Sequence, residues 1–128
     1  MFLSVAVVAC SRSGDPARLT ELQQVKTGAL IVGLMSSHDG LNRGKDTFFV
    51  EFRAASDGHL VDVGAVRGSA TMPMSGTPMF GSIDVMPTTV VGRYAASSEF
   101  SMAGRWRMTL QWDGPAGQGS VTFSATVL

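Results

Sequence analysis

Residues 105–112 read RWRMTLQW, and this stretch alternates strictly between polar and apolar side chains. Trp106, Met108, Leu110 and Trp112 share one parity, while two arginines, a threonine and a glutamine occupy the other. Because successive side chains of a β-strand point to opposite faces, the stretch predicts a strand with one buried and one solvated face. Such strands are typical of antiparallel sheets.

The same period of two recurs over most of the chain after residue 27. It is clear at 47–54 and 121–127, and weaker at 29–36, 60–72, 79–86 and 92–100. Turn residues separate these segments, among them Asp57-Gly58, a pair suited to a tight turn with positive φ. Seven strands without helical periodicity predict an all-β fold, an immunoglobulin-like antiparallel β-sandwich over residues 28–128.

The composition indicates one domain without a polyanionic partner. The 128 residues suffice for a single packed core. Ten lysines and arginines balance ten aspartates and glutamates, so the formal net charge is zero at pH 7. Because the chain has no excess of positive charge to attract phosphates, we expect no nucleic-acid partner and no electrostatic attraction to an anionic membrane surface.

Residues 1–10, MFLSVAVVAC, form an apolar segment that ends at the single cysteine. The order Val7-Val8-Ala9-Cys10 resembles a bacterial lipobox, which predicts a signal or lipoprotein-type segment, lipidation at Cys10, and a membrane-anchored periplasmic or other extracytoplasmic location. No basic residue precedes the apolar run, so a start placed too far downstream or a truncated membrane helix also fits. The alternative is a buried N-terminal strand, because so short a run cannot span a bilayer by itself.

Residues 11–27 are interpreted as a linker between this segment and the domain. Asp15-Pro16 fits the start of a short helix that would carry Leu19 and Leu22. An extended path into the first strand fits equally well. The sequence leaves these two alternatives open.

Five stretches together resemble the YtkA-like family, whose relatives include FixH-type proteins and terminal domains of copper and silver efflux adaptors. They are GKDTFFVEF (44–52), DGHLVDVGAV (57–66), TMPMSGTPM (71–79), GRY (92–94) and FSMAGRWRMTLQW (100–112). The resemblance covers about residues 28–128 and implies a β-sandwich outside the cytoplasmic membrane, beside heavy-metal handling or respiratory-oxidase assembly. The implied partner is an envelope or inner-membrane protein such as an efflux component or oxidase assembly factor, and no enzyme is implied.

Met72, Met74 and Met79 surround a Ser-Gly-Thr-Pro turn and form the candidate metal site. The first two lie two apart in a strand, so both thioethers project from one face, and the third can return on the next strand. Thioethers are soft ligands that select Cu(I) or a similar ion such as Ag(I). Met86, Met102, His38 and His59 are further candidate ligands, with His59 the better placed of the two histidines.

Two other interpretations of these methionines remain open. Methionine fills irregular gaps in protein cores, and inward strand positions of a sandwich need apolar residues. Exposed methionines at a loop are also typical of a docking surface for a protein partner. The alternative function is therefore a protein–protein interaction module of the cell envelope that holds no metal.

Motifs for catalysis are absent from the sequence. It has no G-x-S-x-G turn, and its two histidines, His38 and His59, lie in turn-like stretches without zinc or calcium spacing. Tyr94 and Trp106 are interpreted as structural, with the tyrosine hydroxyl bonded to backbone and the indole filling the space between the sheets. We therefore expect a non-enzymatic protein.

Overall fold

The computed structural model describes residues 19–37, 40–73, 76–115 and 117–128. This part contains eight strands and no helix, so it offers no helical segment able to cross a bilayer. The strands are β1 (Thr20–Thr27), β2 (Leu30–Ser36), β3 (Gly44–Ala54), β4 (Val66–Met72), β5 (Met79–Pro87), β6 (Arg93–Phe100), β7 (Gly104–Gly114) and β8 (Gly117–Val127). The all-β prediction is confirmed.

All eight strands belong to one antiparallel sheet in the order β1-β2-β3-β6-β5-β4-β7-β8. The sheet folds into two layers at β5, where Met79–Gly81 pair with β4 and Ser82–Pro87 pair with β6. A side chain at Gly81 would crowd the rings of Phe100 and Trp106, at 3.2 and 3.3 Å from its Cβ. The missing Cβ therefore lets the two layers approach each other at this corner.

The core between the layers holds the residues that the alternation predicts. Trp106, Met108, Leu110 and Trp112 of β7 are buried, as are Phe48, Val50 and Phe52 of β3 and Val121, Phe123, Ala125 and Val127 of β8.

The Tyr94 hydroxyl donates a hydrogen bond to the Gly64 carbonyl at 2.7 Å. Burial raises the pKa of this hydroxyl, and the nearby Asp62 carboxylate adds to the increase. The structural roles predicted for Tyr94 and Trp106 are confirmed.

Strand β1 corrects the linker prediction for residues 20–27 and raises the strand count from seven to eight. These residues pair with β2, and Leu22 and Val25 pack against the core. A β-bulge between Glu21 and Gln23 interrupts the register, so the inward residues are spaced by three. That spacing imitates a helix in the sequence, and it conceals the period of two on which strand prediction depends.

The strand predicted at 60–72 is shorter than expected, since β4 begins only at Val66. Residues 55–65 instead carry the chain from one layer to the other. Gly58 adopts φ +81° in the predicted tight turn, and its amide donates to the Ala54 carbonyl at 2.8 Å. The Val61 amide then bonds the Phe52 carbonyl at 2.9 Å, which fixes the crossing segment along β3.

The two edge strands, β1 and β8, meet at a seam that almost closes the sheet into a barrel. The Gln23 side-chain amide donates to the Ser124 carbonyl at 3.0 Å, and its oxygen accepts from the Ser124 amide at 3.3 Å. Beside the seam, Leu41 bridges Val127, and the Arg43 amide bonds the Leu128 carbonyl at 3.0 Å. Strands β1, β3, β5 and β7 all begin at the same end of the fold, and we call this end the mouth. The opposite end is called the distal end.

Candidate functional site: a methionine pair at the mouth

Met72 and Met79 are direct partners in the β4–β5 pairing, at the last position of one strand and the first of the next. Met72 belongs to the buried core, and Met79 is half-buried and packs against that core. Directly opposed residues of an antiparallel pair have Cβ atoms about 5 Å apart on the same face. The fold therefore brings these two thioethers to one place, inside the mouth. Met74, the third predicted ligand, lies outside the described residues.

Met72 is held at the mouth by a glycine of the neighbouring strand. Its side chain is only 8% exposed, and its methyl group occupies the space that a Cβ of Gly104 would fill. Gly104 has φ +142°, a backbone conformation that side-chain-bearing residues rarely adopt. The start of β7 thus requires glycine for two reasons, and one of them is the position of the Met72 thioether.

Met102 is a third methionine at the mouth, in the turn that joins β6 to β7. The Trp106 indole N–H donates to the Met102 carbonyl at 3.0 Å, which ties this turn to the core. The Met102 side chain is 39% exposed, and it lies two residues before Gly104. It is therefore the described methionine best placed to complete a site formed by Met72 and Met79.

The structure separates Met86 and His59 from this pair, which corrects their prediction as further ligands. Met86 lies seven positions after Met79 on β5, about 23 Å along the strand, and its side chain is 64% exposed on the outer face. His59 follows the Gly58 turn at the distal end. Neither can share an ion with Met79.

His59 has a local partner instead. Its ring Nδ1 pairs with an oxygen of Asp57, whose carboxylate also accepts the His59 backbone amide at 3.1 Å. The backbone and side-chain hydrogen bonds from His59 lower the pKa of Asp57. Both side chains are exposed, so the pair is a feature of the solvated turn. His38 lies outside the described residues.

The ligands at the mouth suit soft ions only. Nowhere in residues 19–37, 40–73, 76–115 and 117–128 do three or more histidine, cysteine, aspartate or glutamate side chains gather in a way that could hold a metal ion. The thioethers are neutral and carry no proton that binding must displace. Uncharged sulfur donors favour a monovalent soft ion such as Cu(I) or Ag(I) over zinc, calcium or magnesium.

A buried ion-pair network on the outer face of β3 was not predicted from the sequence. Glu51 is buried, and both of its oxygens accept from arginines, Arg53 at 2.8 Å and Arg93 at 2.6 Å. Burial opposes ionisation of the carboxyl, but the hydrogen bonds and charges of the two arginines outweigh it and lower the pKa of Glu51. The sequence signal for the Glu51–Arg53 pair was their separation of two residues, which places both on the same strand face. The contact with Arg93 could not be found from local sequence, because it depends on the β3–β6 pairing.

Comparison with known proteins gives a family and one structural likeness. A model of the family described as YtkA-like matches residues 30–111, more than half of the chain. No curated protein matches. A solved structure with a likeness to this chain is the crystal structure of "as isolated" FetP from uropathogenic E. coli strain F11, recombinantly expressed in the periplasm of E. coli BL21(DE3). The two chains have 12% sequence identity, and the TM-score is 0.49. The likeness covers 83% of this chain and 93% of that chain. A likeness of this degree carries no statement about chemistry.

Proposed function

This chain belongs to the YtkA-like family, and from that premise we propose that it is an exported, membrane-tethered, non-enzymatic accessory domain that binds Cu(I) or Ag(I) at its mouth. The tether is the apolar segment 1–10, with Cys10 as its lipidated residue. The ion passes to or from an envelope or inner-membrane protein of heavy-metal efflux or respiratory-oxidase assembly, the setting that the family resemblance implies.

The observation that supports this function best is the register of β4 against β5. Because Met72 and Met79 are direct partners, their thioethers share the inward face at the open end of the fold. Met102 supplies a third sulfur from the adjoining turn, and Met74 lies in the segment that joins the two strands. Weak binding through few neutral ligands suits a protein that transfers its ion rather than storing it.

An anaerobic competition titration tests this proposal. Cu(I) is titrated against a chromogenic chelator with the wild-type chain and with a variant carrying Met72→Leu, Met74→Leu and Met79→Leu. The matched control carries Met35→Leu, Met86→Leu and Met108→Leu. It removes three thioethers outside the proposed site, because Met35 and Met86 lie on outer faces of their strands and Met108 is fully buried in the core. Methionine-to-leucine exchange nearly conserves volume, so both variants should remain folded.

We expect the wild-type chain and the control to compete with the chelator, and the mouth variant to have lost that capacity. Equal uptake by the mouth variant and the wild type would show that the ion binds elsewhere. Negligible uptake by all three proteins would remove the metal and leave the alternative, an interaction module of the cell envelope. An Ag(I) titration of the same three proteins checks whether the site binds soft ions in general.

A further inference from the structure

We propose that the outer face of strands β4, β7 and β8 binds an acidic polysaccharide of the polyuronate type through Arg105 and Arg107. We call this surface the β7 face, and it consists of the outward side chains of the three strands. Neither the metal site nor the membrane tether of the proposed function is needed for it. The composition argued against a polyanionic partner, but a net charge of zero hides an uneven distribution between the two outer faces of the fold.

The β7 face carries an excess of positive charge. Its outward positions hold Arg67, Arg105 and Arg107 against one carboxylate, Asp113, which leaves two positive units. The other described residues hold five cations and seven carboxylates, which leaves two negative units. Asp113 borders a distal hollow together with Arg67 and offsets that arginine. The excess charge therefore lies with Arg105 and Arg107, and neither forms an ion pair with a described carboxylate.

The acidic side chains near the mouth lie on the other layer. One hollow on the outer side of β3, β5 and β6 is bordered by Asp46, Asp84, Glu99 and Lys45. Glu99 also borders the corner hollow beside Phe80, and so does Arg43, which offsets it. Glu21 turns to the outer side of β2, since its Oε1 lies 3.7 Å from where a Cβ of Gly33 would stand. In the mouth half of the β7 face, the described residues therefore include no carboxylate that neutralises the two arginines of β7.

The rest of the β7 face offers hydrogen-bonding groups and no apolar side chain. Seven serine and threonine hydroxyls and two glutamine amides fill its other outward positions. Strand pairing aligns them in rows, such as Thr71, Arg107 and Ser124. Protein interfaces and membrane-inserting surfaces have apolar side chains at their centre, and this face has none. Hydroxyls and amides both donate and accept hydrogen bonds, so they match the hydroxyl groups of a sugar polymer.

The kind of cation on this face suits a carboxylated ligand. All three cations are arginines, whereas the two described lysines, Lys26 and Lys45, lie on the other layer. The planar guanidinium binds a carboxylate through two parallel hydrogen bonds, which an ammonium group cannot form. Arg105 and Arg107 are two apart on one strand, so about 7 Å separates their Cα atoms. A polymer that repeats its carboxylates can meet both arginines at once and binds more tightly than a single acid.

A hollow of about 340 Å³ beside Arg105 gives the β7 face room for a sugar ring. It lies at the seam between β1 and β8, with Gln23 and Ser124 on its rim and the buried Leu34 and Leu41 beneath. The Arg105 Nε donates to the Ser124 Oγ at 3.3 Å, which holds the guanidinium at this rim. The volume lies within the range of small-molecule sites. A polar rim over an apolar floor matches a sugar ring, which carries hydroxyls at its edge and C–H groups on its faces.

Polygalacturonate tests this proposal, because it has a carboxylate on every sugar and its methyl ester is the same polymer without the charge. Binding of the full chain to each polymer is measured by isothermal titration calorimetry in about 50 mM NaCl, where screening is moderate. Arg105→Gln with Arg107→Gln removes two cations from the β7 face. The matched control, Lys26→Gln with Lys45→Gln, removes two from the other layer. All four side chains are exposed, so both variants should remain folded.

We expect the wild type and the lysine control to bind polygalacturonate alike. The arginine variant should bind about tenfold more weakly, since two exposed ion pairs are lost, and the methyl ester should not bind measurably. No binding by the wild type, equal losses in the two variants, or equal binding of the ester would overturn the proposal. Polyuridylate that binds as tightly as polygalacturonate would overturn it in favour of a surface that accepts any polyanion. The variant without the mouth methionines should keep wild-type affinity for the polysaccharide, so the outcome of the Cu(I) titration does not affect this test.

Discussion

The side-chain amide of Gln23 in β1 bonds both backbone groups of Ser124 in β8, at 3.0 and 3.3 Å. This is the pattern by which two opposed strand residues exchange N–H···O bonds, with a side chain standing in for one of the peptides. The β-bulge beside Gln23 turns that side chain toward β8. Together with the Leu41–Val127 bridge, this glutamine covers part of two edge strands that would otherwise be open to pairing with other chains.

Replacing Gln23 by alanine should loosen this seam. The two bonds are solvent-exposed, so water replaces them partly, and we expect the free energy of unfolding to fall by about 1 kcal/mol. Hydrogen exchange at the Ser124 amide should accelerate more than the global loss of stability explains. Gln24→Ala, at an exposed neighbouring position, should change neither quantity. Unchanged exchange at Ser124 in the Gln23 variant would show that the seam is held by other contacts.

Gly104→Ala should act through Met72. Both Gly104 and Gly117 have positive φ, but a Cβ at Gly117 meets open space, whereas one at Gly104 meets the Met72 methyl group. Backbone strain should cost each alanine variant about 1 to 3 kcal/mol, and the Gly104 variant more than the Gly117 variant. The excess should shrink when Met72→Ala is added, because the crowding is then removed. Urea denaturation of the wild type, Gly104→Ala, Gly117→Ala, Met72→Ala and the Gly104→Ala/Met72→Ala double variant measures this coupling. Additive effects of the Gly104 and Met72 substitutions would contradict the packing described above.

Truncation of Trp106 should be the most damaging change in the core. The indole is fully buried, lies 5.0 Å from the Phe100 ring between centroids, and donates to the Met102 carbonyl. Trp106→Ala should destabilise by about 3 to 5 kcal/mol, a large part of the stability of a small domain. Gln111→Ala, on the outer face of the same strand, should cost less than about 0.5 kcal/mol. Chemical denaturation followed by circular dichroism compares the two.

Acid should weaken the protein through Glu51. Since its folded-state pKa is lowered, the carboxylate stabilises the fold above its unfolded-state pKa, and this contribution is lost as the pH falls through the folded-state value. The free energy of unfolding of Glu51→Gln should therefore be lower than that of the wild type at pH 7, by about 1 kcal/mol. The expected loss is small because water screens the charges of the partly exposed arginines. The difference should vanish in acid below the folded-state pKa. A difference that persists there would assign the effect to packing rather than to charge.

Strands with an unbroken period of two, and the faces they bury, are predictable from local sequence. In β7 and β8 the alternation is a local property, because a side chain's face depends only on its position along its own strand. The same holds for Trp106, whose inward parity follows from RWRMTLQW. The family resemblance also came from these local stretches, and the match over residues 30–111 confirms it.

Which strands meet, and which side chains share a site, depends on long-range pairing. The bulge in β1 hid a strand from local pattern analysis, and the Gln23–Ser124 seam joins residues separated by 101 positions. Met79 and Met86 stand on one strand, yet register places the first beside Met72 and parity sends the second to the opposite face. Proximity between distant residues is fixed by pairing and closure of the whole sheet, and these depend on long-range contacts that no short stretch of sequence contains.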